Sequence, residues 1–216
     1  MPLLMLDLDN TLVDRDAAVA DAVAEFLAAH ELPPADLAWI VDLDANGYAP
    51  SADVAAAMVR RYGAALAAPV EALLDNGAAD RVALLDPTRE ALARAHADGW
   101  SCVIVTNGET PQQEAKIRNT GLDRLVQGWV VSEAVGHKKP EPEIFRAAAA
   151  TVGLPLDGAW VVGDSAHADI AGAHALGLGS VWVSNGRTWS EESFRPTHVT
   201  VGVHTAIDHV VGAPSR

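Results

Sequence analysis

Near its amino end the chain reads Leu3-Leu4-Met5-Leu6-Asp7-Leu8-Asp9-Asn10-Thr11, an apolar run that breaks into aspartates. A short continuous apolar run bounded by polar residues is the pattern of a strand buried on both faces, here Leu3 to Leu8. Such strands build parallel sheets, and an open parallel sheet binds its ligands at the carboxyl ends of its strands. Asp7 and Asp9 therefore stand where a site is expected.

Working outward, the stretch from Asp14 to Asp80 is Ala-rich, with Val19, Val23, Phe26 and Leu27 at helical spacing and no convincing strand. Pro33-Pro34, Asn46-Gly47 and Pro69 divide it into several helices. From Asp86 the pattern alternates. Asp86 caps a helix with Pro87 at its first position, running to Gly99; Trp100–Val105 is a strand. A helix capped by Thr110-Pro111 ends at Gly121, and Trp129–Val131 is the next strand. Helix Glu141–Val152, strand Ala159–Val162, helix Ala168–Leu176 and strand Val181–Val183 follow. His198–Val203 and Thr205–Val211 read as a last strand and helix. This alternation predicts an α/β fold: a three-layer, Rossmann-like parallel sheet with right-handed crossovers. Residues 1–14 and 82–216 form this core, and residues 15–81 an inserted all-helical cap domain.

The strand ends carry a consistent chemistry. The first delivers Asp7, Asp9 and Thr11; the second Thr106-Asn107-Gly108; the third leads to Lys138-Lys139-Pro140; the fourth delivers Gly163-Asp164-Ser165 and Asp169. Clustered carboxylates repel, and a divalent cation relieves that repulsion; an all-oxygen set suits Mg²⁺ over Zn²⁺. A cation, a lysine and a Thr-Asn-Gly turn with inward N–H groups make a place for a phosphoryl group. An aspartate can attack phosphorus and split one difficult displacement into two.

Asp-x-Asp-x-Thr, a strand-end hydroxyl, Lys-Pro and Gly-Asp-x-x-x-x-Asp, in that order, resemble the haloacid dehalogenase superfamily in its phosphatase form, from Leu3 to about Val183. The resemblance implies that Asp7 is the nucleophile and Asp9 the general acid and then base. It implies that Thr106, with the Asn107-Gly108 turn, holds phosphoryl oxygens and that Lys139 pairs with nucleophile and phosphate, Lys138 being the alternative. Mg²⁺ would be bound by the Asp7 carboxylate, the Asp9 carbonyl and Asp164, with Asp169 orienting a metal water or Lys139. Members that cleave carbon–halogen bonds lack the second aspartate, since halide leaves without a proton; this chain has it. Gln113, Lys116 and Thr120-Gly121-Leu122, with Val131–Gly136 and Lys139–Phe145, look like the nucleotidase and sugar-phosphatase branch. The implied function is hydrolysis of a small phosphorylated metabolite, a nucleoside monophosphate or a sugar phosphate. A phosphomutase, or a non-catalytic phosphate- or metal-binding module, is the alternative.

Composition sets the bounds. The chain has 216 residues and 15 basic against 29 acidic side chains, a net charge of −14, half of it within residues 15–81, where 4 arginines face 11 carboxylates. That balance argues against a nucleic-acid partner or an anionic membrane surface, both of which need clustered cations. One cysteine, Cys102, excludes an internal disulfide and reads as a core residue. With no basic leader and no long apolar run, a cytoplasmic protein is expected, as monomer or homodimer. Asp42–Gly47 imitates the start of a calcium loop but fails at its twelfth position, Asp53, so a cap turn is expected. Arg60, Arg61 and Trp39 are the candidate substrate contacts of the cap, and His167 a candidate neighbour of the site.

Overall fold

The computed structural model describes residues 1–212. The chain divides into two compact units, one of residues 14–82 and one of the segments on either side of it. In chain order, strand β1 (Leu3–Leu6) precedes the four helices of the 14–82 unit: α1 (Arg15–Ala29), α2 (Leu37–Asp44), α3 (Ser51–Tyr62) and α4 (Ala67–Asn76). Then come α5 (Asp86–Ala97), β2 (Ser101–Thr106), α6 (Thr110–Asn119), β3 (Gly128–Val131), α7 (Ser132–Val135) and α8 (Pro142–Thr151). The chain continues through β4 (Trp160–Gly163), α9 (Ala171–Ala175), β5 (Gly179–Val183), β6 (His198–Thr200) and α10 (Val203–Gly212).

All six strands are parallel, in the order β3-β2-β1-β4-β5-β6. The chain steps from β1 outward to β3, then returns past β1 to β4 and proceeds the other way. The direction of winding thus reverses between β1 and β4, and the crevice at their carboxyl ends is where such sheets bind ligands. Alternation along the central strands serves both faces. Leu3, Met5, Val103, Val105 and Val130 pack against Ile144, Phe145, Ala148 and Ala149, the last four all from α8. Leu4, Leu6, Cys102 and Ile104 are buried on the opposite side, where α5 packs on β2 and α10 on β4. Burial of each large aliphatic side chain stabilises the fold by ~1.5–3 kcal/mol.

The 14–82 unit has its own core of Val23, Phe26, Leu27, Ile40, Val54, Met58 and Val70. Its first helix starts at Asp14, whose carboxylate accepts the Ala17 N–H at 3.0 Å. Asp42 and Asp44 lie within α2, and the Asp44 carboxylate takes both Arg15 guanidinium nitrogens, at 2.7 and 2.8 Å, and the Gly47 N–H. The calcium-like string is therefore a helix end and its turn.

Most elements fall within a few residues of expectation, and some of the differences have a local reason. β1 stops at Leu6 because the Leu8 carbonyl accepts the N–H groups of Thr11, Leu12 and Val13, curling the chain into a tight loop with Asn10 at φ +56°. Asp86 and Thr110 are the first helical residues of α5 and α6 rather than their caps; Leu85 and Glu109 precede the two helices without a side-chain cap bond. The helix expected at Ala168–Leu176 opens with a wide π turn, Ala166–Ile170, before α9. There the Ser165 side chain accepts the Ala168 N–H and the Ser165 carbonyl those of Asp169 and Ile170. Among the described residues no helix is long and apolar enough to cross a membrane.

Candidate active site

Three strand ends converge on one buried ion cluster. Asp7 extends the β1 ladder by one bond, its N–H donating to Val162 O at 2.9 Å, and then turns its carboxylate inward. Oδ2 accepts the Thr11 hydroxyl at 2.9 Å and Oδ1 the Lys139 ammonium at 2.6 Å. Lys139 also donates to Asp169 Oδ1 at 2.7 Å, so one cation serves two carboxylates, and all three groups are buried. The lysine is held from behind: its backbone N–H donates to Asn107 Oδ1 at 2.8 Å, and Asn107 Nδ2 donates to its carbonyl at 3.1 Å. Asp169 is delivered by the π turn and fixed by the Ser165 N–H on Oδ2 at 3.0 Å. A Cβ on Gly163 would stand 2.2 Å from that carboxylate, which is why the strand before it ends in glycine.

Asp164 joins from the end of β4. Its N–H donates to Thr11 Oγ1 at 3.1 Å, placing Thr11 between Asp7 and Asp164. Arg187, beyond β5, donates to its Oδ2 at 2.9 Å and its carbonyl at 2.8 Å, and Trp182 Nε1 donates to the same carbonyl. Oxygens of Asp7, Asp164 and Asp169 lie within 4.8 Å of one another. Burial, reinforced by Asp169 and Asp164 and opposed by Lys139, pushes the Asp7 carboxyl up to about 8. Burial and Asp169 raise Asp164 to about 6 against the pull of Arg187. Burial alone would lower Lys139, but Asp169 and Asp7 outweigh it and hold the ammonium above its ordinary range. The cluster thus gathers three carboxyl groups around two cations, Lys139 and Arg187, and its donors are all hard oxygens. A divalent cation such as Mg²⁺ fits that donor set.

The second aspartate has a separate setting. Asp9 accepts the buried Lys116 ammonium on both oxygens, at 2.8 and 2.9 Å, and Gln113 Nε2 on Oδ2 at 3.0 Å. Gln113 Nε2 also reaches Thr106 Oγ1 at 2.5 Å, and that hydroxyl lies 3.3 Å from the Asn107 carbonyl as donor.

Most residues singled out in the sequence meet here, with some corrections. Asp7, Lys139, Asp164 and Asp169 form one cluster, with Asp169 bonded to Lys139 directly. The N–H of Gly108 is not free to face a ligand: it donates to Ser132 Oγ at 3.0 Å. Asn107 serves the Lys139 backbone through its side chain. Lys138 is exposed. His167 is exposed and pairs with Glu191 at 3.2 Å. Within the 14–82 unit, Arg61 is engaged by Asp36 through a two-pronged bond and stacks over Trp39, its guanidinium carbon 4.5 Å from the ring centroid. Arg60 is exposed.

Three contributors carried no assigned role in the sequence. Lys116 and Gln113 had a readable signal: with Ile117 they are the buried residues of α6, a helix whose inward face is mostly polar. Arg187 comes from a loop after β5 and had none.

Comparison with known proteins bears on the family and the fold. Residues 1–177 match the family model described as haloacid dehalogenase-like hydrolase. A phosphoserine phosphatase of Thermus thermophilus is 36% identical over 103 residues, 47% of this chain but only 41% of that protein. A phosphoglycolate phosphatase of Cereibacter sphaeroides is 32% identical over 190 residues, covering 82% of this chain and 83% of that one. Among solved structures, the Bacillus subtilis protein YfnB, in a crystal form bound to magnesium, superposes with a TM-score of 0.78 at 22% identity. That match covers 98% of this chain and 99% of its own, and shows the shared fold.

Proposed function

The chain belongs to the haloacid dehalogenase-like hydrolases, and from that premise we propose that it is a Mg²⁺-dependent phosphomonoesterase working through an aspartyl-phosphate on Asp7. The observation that carries this is the Asp7 carboxylate, fixed by Thr11 and Lys139 inside a cluster of buried carboxylates.

An oxygen of Asp7 attacks phosphorus, and the bond from phosphorus to the ester oxygen breaks. Asp9, protonated, gives its proton to that departing oxygen, so the product leaves as an alcohol. Asp9 then takes a proton from water; the water oxygen attacks phosphorus, the bond to Asp7 breaks, and inorganic phosphate is released. Lys139 neutralises charge on Asp7 and on the phosphoryl oxygens, while Asp169 and the Asn107 side chain keep it aimed. The Thr106 hydroxyl, which in the structure donates to the Asn107 carbonyl, would turn to supply a donor to a phosphoryl oxygen. Mg²⁺, held by Asp7, Asp164 and the Asp9 carbonyl, would stabilise negative charge on the transferring group when bound.

The substrate is a small phosphorylated metabolite, a nucleoside monophosphate or sugar phosphate, and the phosphoserine and phosphoglycolate phosphatases among the relatives support that size class. The test is phosphate release with Mg²⁺ from uridine 5′-phosphate, ribose 5-phosphate, phosphoserine and phosphoglycolate, by wild type and Asp7→Asn. Release that vanishes in the variant supports the reading; equal release by both removes Asp7 as nucleophile. Isomerised product without release would make the protein a mutase, and no turnover at all a binding module.

A further inference from the structure

Lys116 is among the largest fully buried side chains of the protein, and the acceptors the structure gives its ammonium are the two oxygens of Asp9. A buried cation without partners is strongly disfavoured, so the carboxylate and the ammonium fix one another. Gln113, three residues earlier and also buried, adds a bond to Oδ2. Both donors project from the same face of α6. That helix is anchored in turn: Thr120 Oγ1 donates to the Lys116 carbonyl at 2.7 Å, and the Thr110 N–H donates to Glu133. Gly108, at φ +142°, leaves room for Gln113 to cross, since a Cβ there would stand 3.1 Å from its side-chain carbons.

A carboxylate offers about four lone-pair directions. Lys116 fills one on each oxygen and Gln113 the second on Oδ2, which leaves one, on Oδ1. We infer that Lys116, with Gln113, is the positioning residue of Asp9, and that Oδ1 of Asp9 is the atom that delivers and accepts the proton of the reaction. This rests on the phosphomonoesterase reading. Lys116 touches neither nucleophile nor substrate; it acts by setting where the free lone pair of Asp9 points.

The inference separates esters by how much their leaving group needs a proton. Phenoxide departs poorly without one, and 2,4-dinitrophenoxide departs unaided. With Mg²⁺, Lys116→Met should lower kcat/KM for phenyl phosphate by about 100-fold, the usual scale of general acid catalysis, and for 2,4-dinitrophenyl phosphate by less than about 5-fold. An equal loss on both esters would mean that Lys116 only holds the fold, and overturns the inference. A double-mutant cycle gives the second measurement, and it stands even if Lys116→Met alone does not fold, because Asp9→Asn with Lys116→Met removes both charges together. On phenyl phosphate the double variant should match Asp9→Asn within about 2-fold; a further large loss would show that Lys116 acts by another route. If wild type releases phosphate from neither ester, the phosphomonoesterase reading itself fails. If wild type is active and the two esters fall alike, that reading stands and only the role of Lys116 is lost.

Discussion

The two units handle their charges in opposite ways. In the 14–82 unit each carboxylate of the notable ion pairs faces one arginine: Asp44 and Asp16 face Arg15, buried Asp36 faces half-exposed Arg61, and Glu25 faces Arg81. The Arg61 fork, with the Tyr62 hydroxyl, holds the Asp36 carboxyl below its usual range. At the strand ends of the other unit, Lys139 is shared by two buried carboxylates and a third lies within reach. There burial drives Asp7 upward although a lysine touches it. An aspartate beside a cation is thus shifted down in one region and up in the other: both are 7% exposed, but Asp36 has a half-exposed arginine to itself, whereas Asp7 shares a buried lysine with Asp169. The first arrangement holds a structure together, and the second leaves a site short of positive charge.

The largest expected effect tests that contrast at its centre. Asp7→Asn should lower phosphate release by on the order of 10⁴-fold or more, as loss of a nucleophile does, with the fold kept. Asp36→Asn, which breaks a cation–aspartate contact in the other unit, should lower the melting temperature instead and leave phosphate release far less affected. Comparable rates for the two variants would erase the distinction.

Next in size is Lys139→Met, which strands two buried carboxylates. Breaking a buried ion pair from one side costs ~3–5 kcal/mol, and at ~2–4 °C per kcal/mol for a chain of this size the Tm should fall by about 6–20 °C. A Tm within a degree or two of wild type would mean that the cluster is far wetter than its burial implies.

The same contrast titrates. Asp7 near 8 and Asp164 near 6 both lie above the ordinary carboxylate value of 3.8. Between about pH 4 and 8 the folded metal-free protein therefore holds more protons than the unfolded chain, and these two groups make stability fall as pH rises. Asp36, shifted down, acts in the reverse sense: its contribution is present at neutral pH and lost as pH falls through its folded value. Because Mg²⁺ binds ionised carboxylates, millimolar Mg²⁺ should raise Tm more at pH 8 than at pH 5.5. Melting curves at the two values, with Mg²⁺ and with EDTA, check this; an equal rise at both would remove the raised carboxyls from the account.

What could be read in advance follows from the same division. Strand ends were readable because a buried parallel strand has no polar residues until it reaches the site, so Asp7, Thr106 and Asp164 mark its limits themselves. Lys139 stood beside a proline and could be told from Lys138 only by the family resemblance; the structure separates them by burial, 5% exposure against an open surface. Lys116 stood in a family-like stretch without a role of its own, since helical spacing does not tell an inward ammonium from an outward one until a partner is placed. Arg187 reaches Asp164 across 23 residues, a contact that only the β4–β5 register creates. In the 14–82 unit, Arg61 read as a possible anion ligand because its partner Asp36 lies 25 residues away.

The smallest effect examines desolvation by itself, without ion pairs. Cys102 lies on β2, whose neighbour on one side is β1, the strand that leads to Asp7. Among the described residues it has no charged partner, and burial alone pushes its thiol up to about 12. Such a thiol stays protonated at pH 8, and the thiolate is the reactive form. Folded protein should therefore leave a reagent such as DTNB unreacted over the interval in which protein unfolded in guanidinium titrates one thiol. Prompt reaction in the folded state would show that water reaches the centre of the sheet. Burial could then no longer be what outweighs Lys139 at Asp7, because the same exclusion of solvent acts on both groups.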